Sequence, residues 1–152
     1  MSIAENVARI RAEMDAAAVR CGRDPKEVRL CAATKMNDAD AVRQAIAAGA
    51  DCCGENRVQE LTAKLAENAY AGAPVHFIGH LQTNKVRQVV GAVDLIQSVG
   101  SRKLLAAIDA EARKQGLVQN ILLEINIAGE PGKTGFAPEE VLPLLEQIRA
   151  GI

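Results

Sequence analysis

The sequence predicts an α/β protein built on parallel strands: an incomplete (β/α) barrel of the TIM type, with about five of the eight strands that close such a barrel. Three observations carry this expectation. Short apolar runs alternate with amphipathic helical stretches in units of roughly 20–25 residues, the rhythm of strand–crossover helix–strand. The first of these strands, in Leu30-Cys31-Ala32-Ala33-Thr34-Lys35, ends on a lysine and turns directly into a helix. The last has Glu124 and Asn126 on one face and Leu123, Ile125 and Ile127 on the other. That pattern suits a barrel interior or mouth better than a flat sheet covered by helices on both sides.

Ser2 and Glu5 form a capping box for a first helix, with Ile3, Val7, Ile10, Met14 and Ala17 at helical spacing and Gly22 and Pro25 as its stop. A buried strand over 28–34 follows. Asp38 caps a second helix with Val42, Ala45 and Ile46 inward and Gly49 behind it. A brief strand over 50–55 leads into a third helix over 56–70, with Val58, Leu61 and Leu65 on one face. The third strand spans 75–81, and Thr83 or Asn84 caps a helix carrying Val86, Val89 and Val90. A fourth strand runs over 94–99. Ser101 caps a helix with Leu104, Leu105, Ile108 and Ala112 that ends at Gly116. The fifth strand spans 120–128. Pro138 opens a last helix whose buried stripe is Val141, Leu144, Leu145 and Ile148.

About five strands cannot close a barrel of eight, so residues 1–152 read either as a fragment of a longer single barrel domain or as a sheet whose open edges another copy covers. Open sheet edges of this kind invite further chain or self-association with another copy.

Composition excludes several function classes. The net charge of -1 leaves no electrostatic footprint for nucleic acid or an anionic membrane surface. With no Trp, one Tyr and two Phe there is no stacking platform for single strands. Cys21, Cys31, Cys52 and Cys53 include no C-x-x-C pair, and reduced buried thiols point to the cytoplasm. No secretory leader core or spanning run is evident.

On strand alternation, Lys35 shares a face with Ala33, Cys31 and Arg29. A lysine at the carboxyl end of a buried barrel strand stands where such folds carry their chemistry, and desolvation there makes an amine a nucleophile toward aldehydes. A lysine snorkelling to solvent is the plainer alternative. Asn56, after Glu55 on the same rim, is either a helix cap or a ligand-facing amide. Two patterns are decoys. Gly132-Lys133-Thr134 lacks the earlier glycine of a phosphate loop, since Ile127 stands there. His76 and His80 are four apart, but on a strand, with no third ligand nearby in sequence, so no metal site is expected.

Four segments together resemble the pyridoxal phosphate homeostasis proteins. They are Leu30–Lys35, Cys53-Gly54-Glu55-Asn56-Arg57-Val58-Gln59-Glu60, Phe77-Ile78-Gly79-His80-Leu81-Gln82-Thr83-Asn84-Lys85, and Leu123–Glu130 with Lys133-Thr134-Gly135-Phe136. The resemblance covers essentially the whole chain. It implies a barrel like the N-terminal domain of alanine racemase, with pyridoxal 5'-phosphate (PLP) held as a Schiff base on Lys35 and Asn56 beside the cofactor. The implied role is to bind, store or deliver PLP and keep vitamin B6 and amino-acid pools in balance, with no reaction of its own. It further implies that residues 1–152 are the N-terminal part of a single PLP-binding barrel domain, and that members continue for roughly another third of their length, with the loops that hold the phosphate, as barrels place it after strands seven and eight. On that expectation this chain binds PLP weakly unless a second copy completes the site. Two enzyme readings compete: a small PLP-dependent racemase or decarboxylase, and a Schiff-base lysine enzyme, such as an aldolase, without PLP.

Overall fold

The computed structural model describes residues 1–151, so Ile152, the last residue of the expected domain, lies outside the described residues. Contacts divide the chain into two units, Met1–Ile78 and Gly79–Ile152.

In the first unit, the Ser2 hydroxyl accepts from Glu5 N and the Glu5 carboxylate accepts from Ser2 N at 2.7 Å, so the capping box sets the start of α1 (Ile3–Arg20). Gly22 follows at φ +72°, and a 3-10 turn over Pro25–Glu27 leads into β1 (Cys31–Ala33). Asp38 accepts from Ala41 N and starts α2 (Ala39–Ala47). β2 (Cys52–Glu55) is buried throughout and is followed by α3 (Val58–Ala66) and β3 (Val75–Phe77). β1 pairs β2 and β2 pairs β3, both parallel, with Cys31 opposite Cys52, Ala33 opposite Gly54, and Gly54 opposite His76. Arg11 joins α1 to the β1–β2 edge by bonds to the Val28 and Gly49 carbonyls and an ion pair with Asp51.

In the second unit, a 3-10 turn over Thr83–Gln88 precedes β4 (Leu95–Val99). Ser101 accepts from Leu104 N at the head of α4 (Arg102–Gln115), which closes on Gly116 at φ +68°. β5 (Ile121–Leu123) pairs β4 in parallel. A 3-10 turn at Pro138–Glu140 leads into α5 (Val141–Ala150). Parallel strands with crossover helices in both units are the α/β class the sequence predicts. No described helix is long and apolar enough to cross a membrane.

Several expectations are corrected. The strand expected over 28–34 shrinks to Cys31–Ala33, and it is not buried on both faces. Thr34 is buried under the helices, whereas Cys31, Ala33 and Lys35 lie on an exposed face. The third helix stops at Ala66, because Asn68 takes φ +49°, and Leu65 is 39% exposed rather than inward. The helix after the third strand is a 3-10 turn without a side-chain cap, yet it still buries Val86, Val89 and Val90. The fifth strand ends at Leu123, because the chain folds back: Phe136 N donates to Glu124 O at 2.8 Å and Asn126 N donates to Phe136 O at 2.9 Å. Ile127 is left 84% exposed. Of the four apolar residues expected to line the inner face of α5, only Leu144 is buried; Leu145 and Ile148 are exposed.

Candidate functional site

The site begins with the four residues that follow β1. Thr34 N donates to Gly54 O at 3.0 Å, carrying the pairing one residue past the strand. Met36 then takes φ +61°, a conformation a side-chain-bearing residue adopts only when its surroundings enforce it. Two bonds do so here. Met36 N donates to Glu60 Oε2 at 2.8 Å, and Asn37 Nδ2 donates to Lys35 O at 3.0 Å. That Met36 bond, more than any other contact, holds the Glu60 carboxyl below its usual range; the Lys64 charge adds to it. The peptide bearing Lys35 is thus fixed from both sides while its side chain reaches solvent.

Beneath it lies a buried charge network that the sequence reading missed. Glu55, at 0% exposure, closes β2. Its Oε1 accepts from Lys64 Nζ at 2.7 Å, from Tyr70 OH at 3.1 Å, and from Thr34 Oγ1. Lys64, at 6% exposure, also donates to Thr34 O at 2.6 Å and stands 3.5 Å from Glu60. Burial, and then the Glu55 charge beside it, push the Tyr70 hydroxyl well above its ordinary pKa. The ends of β1 and β2 and the face of α3 are locked together by two buried opposite charges with hydrogen bonds around them. Breaking one partner of such a pair costs far more than an exposed pair contributes. The sequence held a signal for this: Lys64 falls at the inward spacing of Leu61, three residues before it, and Glu55 ends a run of buried residues.

Asn56 resolves against the cap reading. The residue preceding α3 is Arg57, and no side chain caps that helix. Asn56 Oδ1 is buried and has no hydrogen-bond partner among the described residues. Ala33 sits opposite Gly54, so two residues further along each chain Lys35 and Asn56 stand at the same end of the paired strands. Among the described residues the Lys35 amine has no ion-pair partner. A primary amine and an unsatisfied amide oxygen at the same end of two paired strands offer an aldehyde or hydroxyl-bearing ligand an attachment point and an acceptor.

Below Lys35 the same face carries Cys31, Cys52 and His76. Cys52 Sγ lies 3.8 Å from His76 Nδ1, and both thiols are free. Desolvation, and then the contact with Cys52, push the Cys31 thiol up to about 12. Spacing along the chain gave no hint that these three meet.

In the second unit a cavity of about 520 Å³ is lined by His80, Asn84, Ser98, Glu124, Lys133 and Thr134 among others. Thr134 Oγ1 donates to Glu124 Oε1 at 3.0 Å, and Ser98 Oγ to Gly79 O at 2.5 Å. Lys133 pairs with Glu130 at 3.6 Å in an exposed loop, and α5 starts eight residues later rather than at Lys133-Thr134.

Comparison with known proteins places these features in a family. The pyridoxal phosphate homeostasis protein of Pseudomonas aeruginosa is 40% identical over 149 residues, 97% of this chain and 64% of the relative. A protein of Bifidobacterium adolescentis of known crystal structure superposes with a TM-score of 0.87 at 38% identity, covering 96% of this chain and 63% of that one. PipY of Synechococcus elongatus, solved with PLP bound, superposes with a TM-score of 0.80 at 34% identity, covering 97% and 64%. The chain therefore spans about 64% of the length of the curated relatives it matches. From residue 2 to residue 151 the sequence also fits the model of the alanine racemase N-terminal domain, and it is to this family that the chain belongs.

Proposed function

We propose that this chain is a cytoplasmic PLP-binding protein of vitamin B6 and amino-acid homeostasis, with the cofactor attached at Lys35 and Asn56 beside it. One observation carries the reading. Lys35, exposed, follows β1, and Asn56, whose buried Oδ1 lacks any partner among the described residues, follows β2 at the same end of these paired strands. The relatives' name and the PLP in PipY supply the identity of the ligand. When bound, PLP supplies an aldehyde that condenses with a primary amine and releases water.

The residues of this chain do the rest. Lys35 Nζ is the attaching amine. Met36 and Glu60 hold the backbone from which it projects, so that little backbone freedom is lost on attachment. Asn56 Oδ1 accepts a hydrogen bond from the ligand and fixes its orientation. Glu55 and Lys64 keep the two strand ends together.

An absorbance titration with PLP, on the wild type and on Lys35→Ala, tests the reading. The expected result is a saturable band of protein-attached cofactor that Lys35→Ala abolishes. A folded wild type without the band, or an equal band in Lys35→Ala, contradicts it.

A further inference from the structure

We propose that Cys31, Cys52 and His76 form a site for a divalent metal ion of the zinc type on the strand face that also carries Lys35. Cys31 opens β1 and Cys52 opens β2, and the parallel register sets them side by side. His76 in β3 lies opposite Gly54, two residues past Cys52 and so on the same face. The fold thereby gathers three donors that are far apart in sequence. One ligand atom from each lies within 4.8 Å of the other two. Cys52 Sγ and His76 Nδ1 are already 3.8 Å apart.

Zinc with bonds of about 2.3 Å to sulfur and about 2.0 Å to nitrogen needs donor–donor edges of about 3.5–3.8 Å in a tetrahedron. An edge at 4.8 Å would have to close by about 1.0 Å between the two sulfurs and by about 1.3 Å between sulfur and nitrogen. Two thiolates and an imidazole form a soft-to-borderline set, which suits zinc and cobalt and not magnesium or calcium.

A second observation supports the site. A Cβ at Gly54 would lie 3.1 Å from Cys31 Sγ and 2.7 Å from Ile78 Cδ1. The absence of a side chain at Gly54 leaves the space into which the Cys31 thiol turns toward its neighbours. Access exists as well: Cys31 is exposed while Cys52 is buried, so an ion can enter, and water or a buffer molecule can fill the fourth position. Each thiol binds as thiolate and gives its proton to the buffer, so two protons leave per ion bound. Cys31 opens β1, whereas Lys35 follows the far end of that strand. The site is separate from the amine.

The test is a titration of the fully reduced chain with Co²⁺, followed by absorbance. A thiolate-to-cobalt charge-transfer band saturating at one ion per chain, and abolished by added Zn²⁺, is expected. Cys31→Ser and Cys52→Ser should each weaken binding about tenfold or more, and His76→Ala likewise. Cys53→Ser and Cys21→Ser should leave it unchanged, since Cys53 lies on the opposite strand face and Cys21 follows α1. Cys31 is exposed, so its serine variant keeps the fold, as circular dichroism would verify. A missing band, or one that survives in Cys31→Ser, overturns the proposal. The readout involves no PLP, so its failure is distinct from failure of the cofactor reading.

Discussion

Lys35 and Lys133 each sit in a loop that leads from a strand to a helix, and both side chains reach solvent, but the ground beneath them differs. Lys35 follows β1 on a peptide held by Met36 N to Glu60 and underlain by the buried Glu55–Lys64 pair. Lys133 stands in an exposed loop after β5, where its own partner is Glu130, with 68% and 59% of the two side chains exposed. Exposure alone would not tell the two amines apart. What separates them is preorganisation: the first loop is tied to the core through buried charges, the second through surface contacts and the backbone bonds of Phe136.

The contrast can be broken at its strongest point. Glu55→Ala strands the Lys64 charge in the interior and should destabilise the chain by about 3–5 kcal/mol, read as a lower midpoint in urea unfolding. Lys64→Met, which removes charge and keeps volume, should leave Glu55 equally stranded and cost a similar amount. A loss below about 1 kcal/mol for both would mean that the network holds nothing in place.

The second loop has a backbone weak point instead. Gly135 takes φ +113°, and a Cβ there would lie 2.8 Å from Asn126 N. Gly135→Ala should cost about 1–3 kcal/mol and loosen the Glu124–Phe136 fold-back, which amide hydrogen exchange at Phe136 would report.

Acid should loosen the first rim at Glu60. Its carboxyl is held below the ordinary 4.5 in the folded chain, chiefly by Met36 N. The stability it contributes is complete above the unfolded value and is lost as pH falls through the folded one. The Tm gap between wild type and Glu60→Gln should therefore be widest near neutrality and narrow below about pH 4. A gap that widens on acidification contradicts the assignment.

The smallest effect belongs to Lys133→Ala. An exposed pair of this kind contributes little, so the change in stability should stay within about 0.5 kcal/mol. A larger loss would place that loop on the same footing as the first.

Much of this was legible in the chain. The capping box at Ser2–Glu5, Asp38 before α2, Ser101 before α4 and Gly116 behind it are local chemistry, and each stands where the sequence puts it. So is the alternation that sets Lys35 and Cys31 on one face. What failed was non-local. The end of β5 depends on Phe136 folding back thirteen residues later, which periodicity does not register. Leu145 and Ile148 have helical spacing but no packed partner that buries them. The Cys31–Cys52–His76 cluster arises from strand register, which spacing along the chain does not register, and the Glu55–Lys64–Tyr70 network arises from the packing of α3 and the loop behind it on the strand ends, signalled in the chain only by the inward spacing of Lys64. Asn56 stood between cap and ligand contact until the helix start at Val58 removed the cap.

The central claim is that the prepared amine, and not simply an exposed one, receives the cofactor. Incubating the folded chain with PLP, reducing with borohydride and mapping the modified peptide by mass spectrometry addresses it directly. The account predicts saturable label on Lys35, with Lys133 and the other lysines labelled only in proportion to excess reagent. Label spread evenly over Lys35 and Lys133, or concentrated on Lys133, would contradict it.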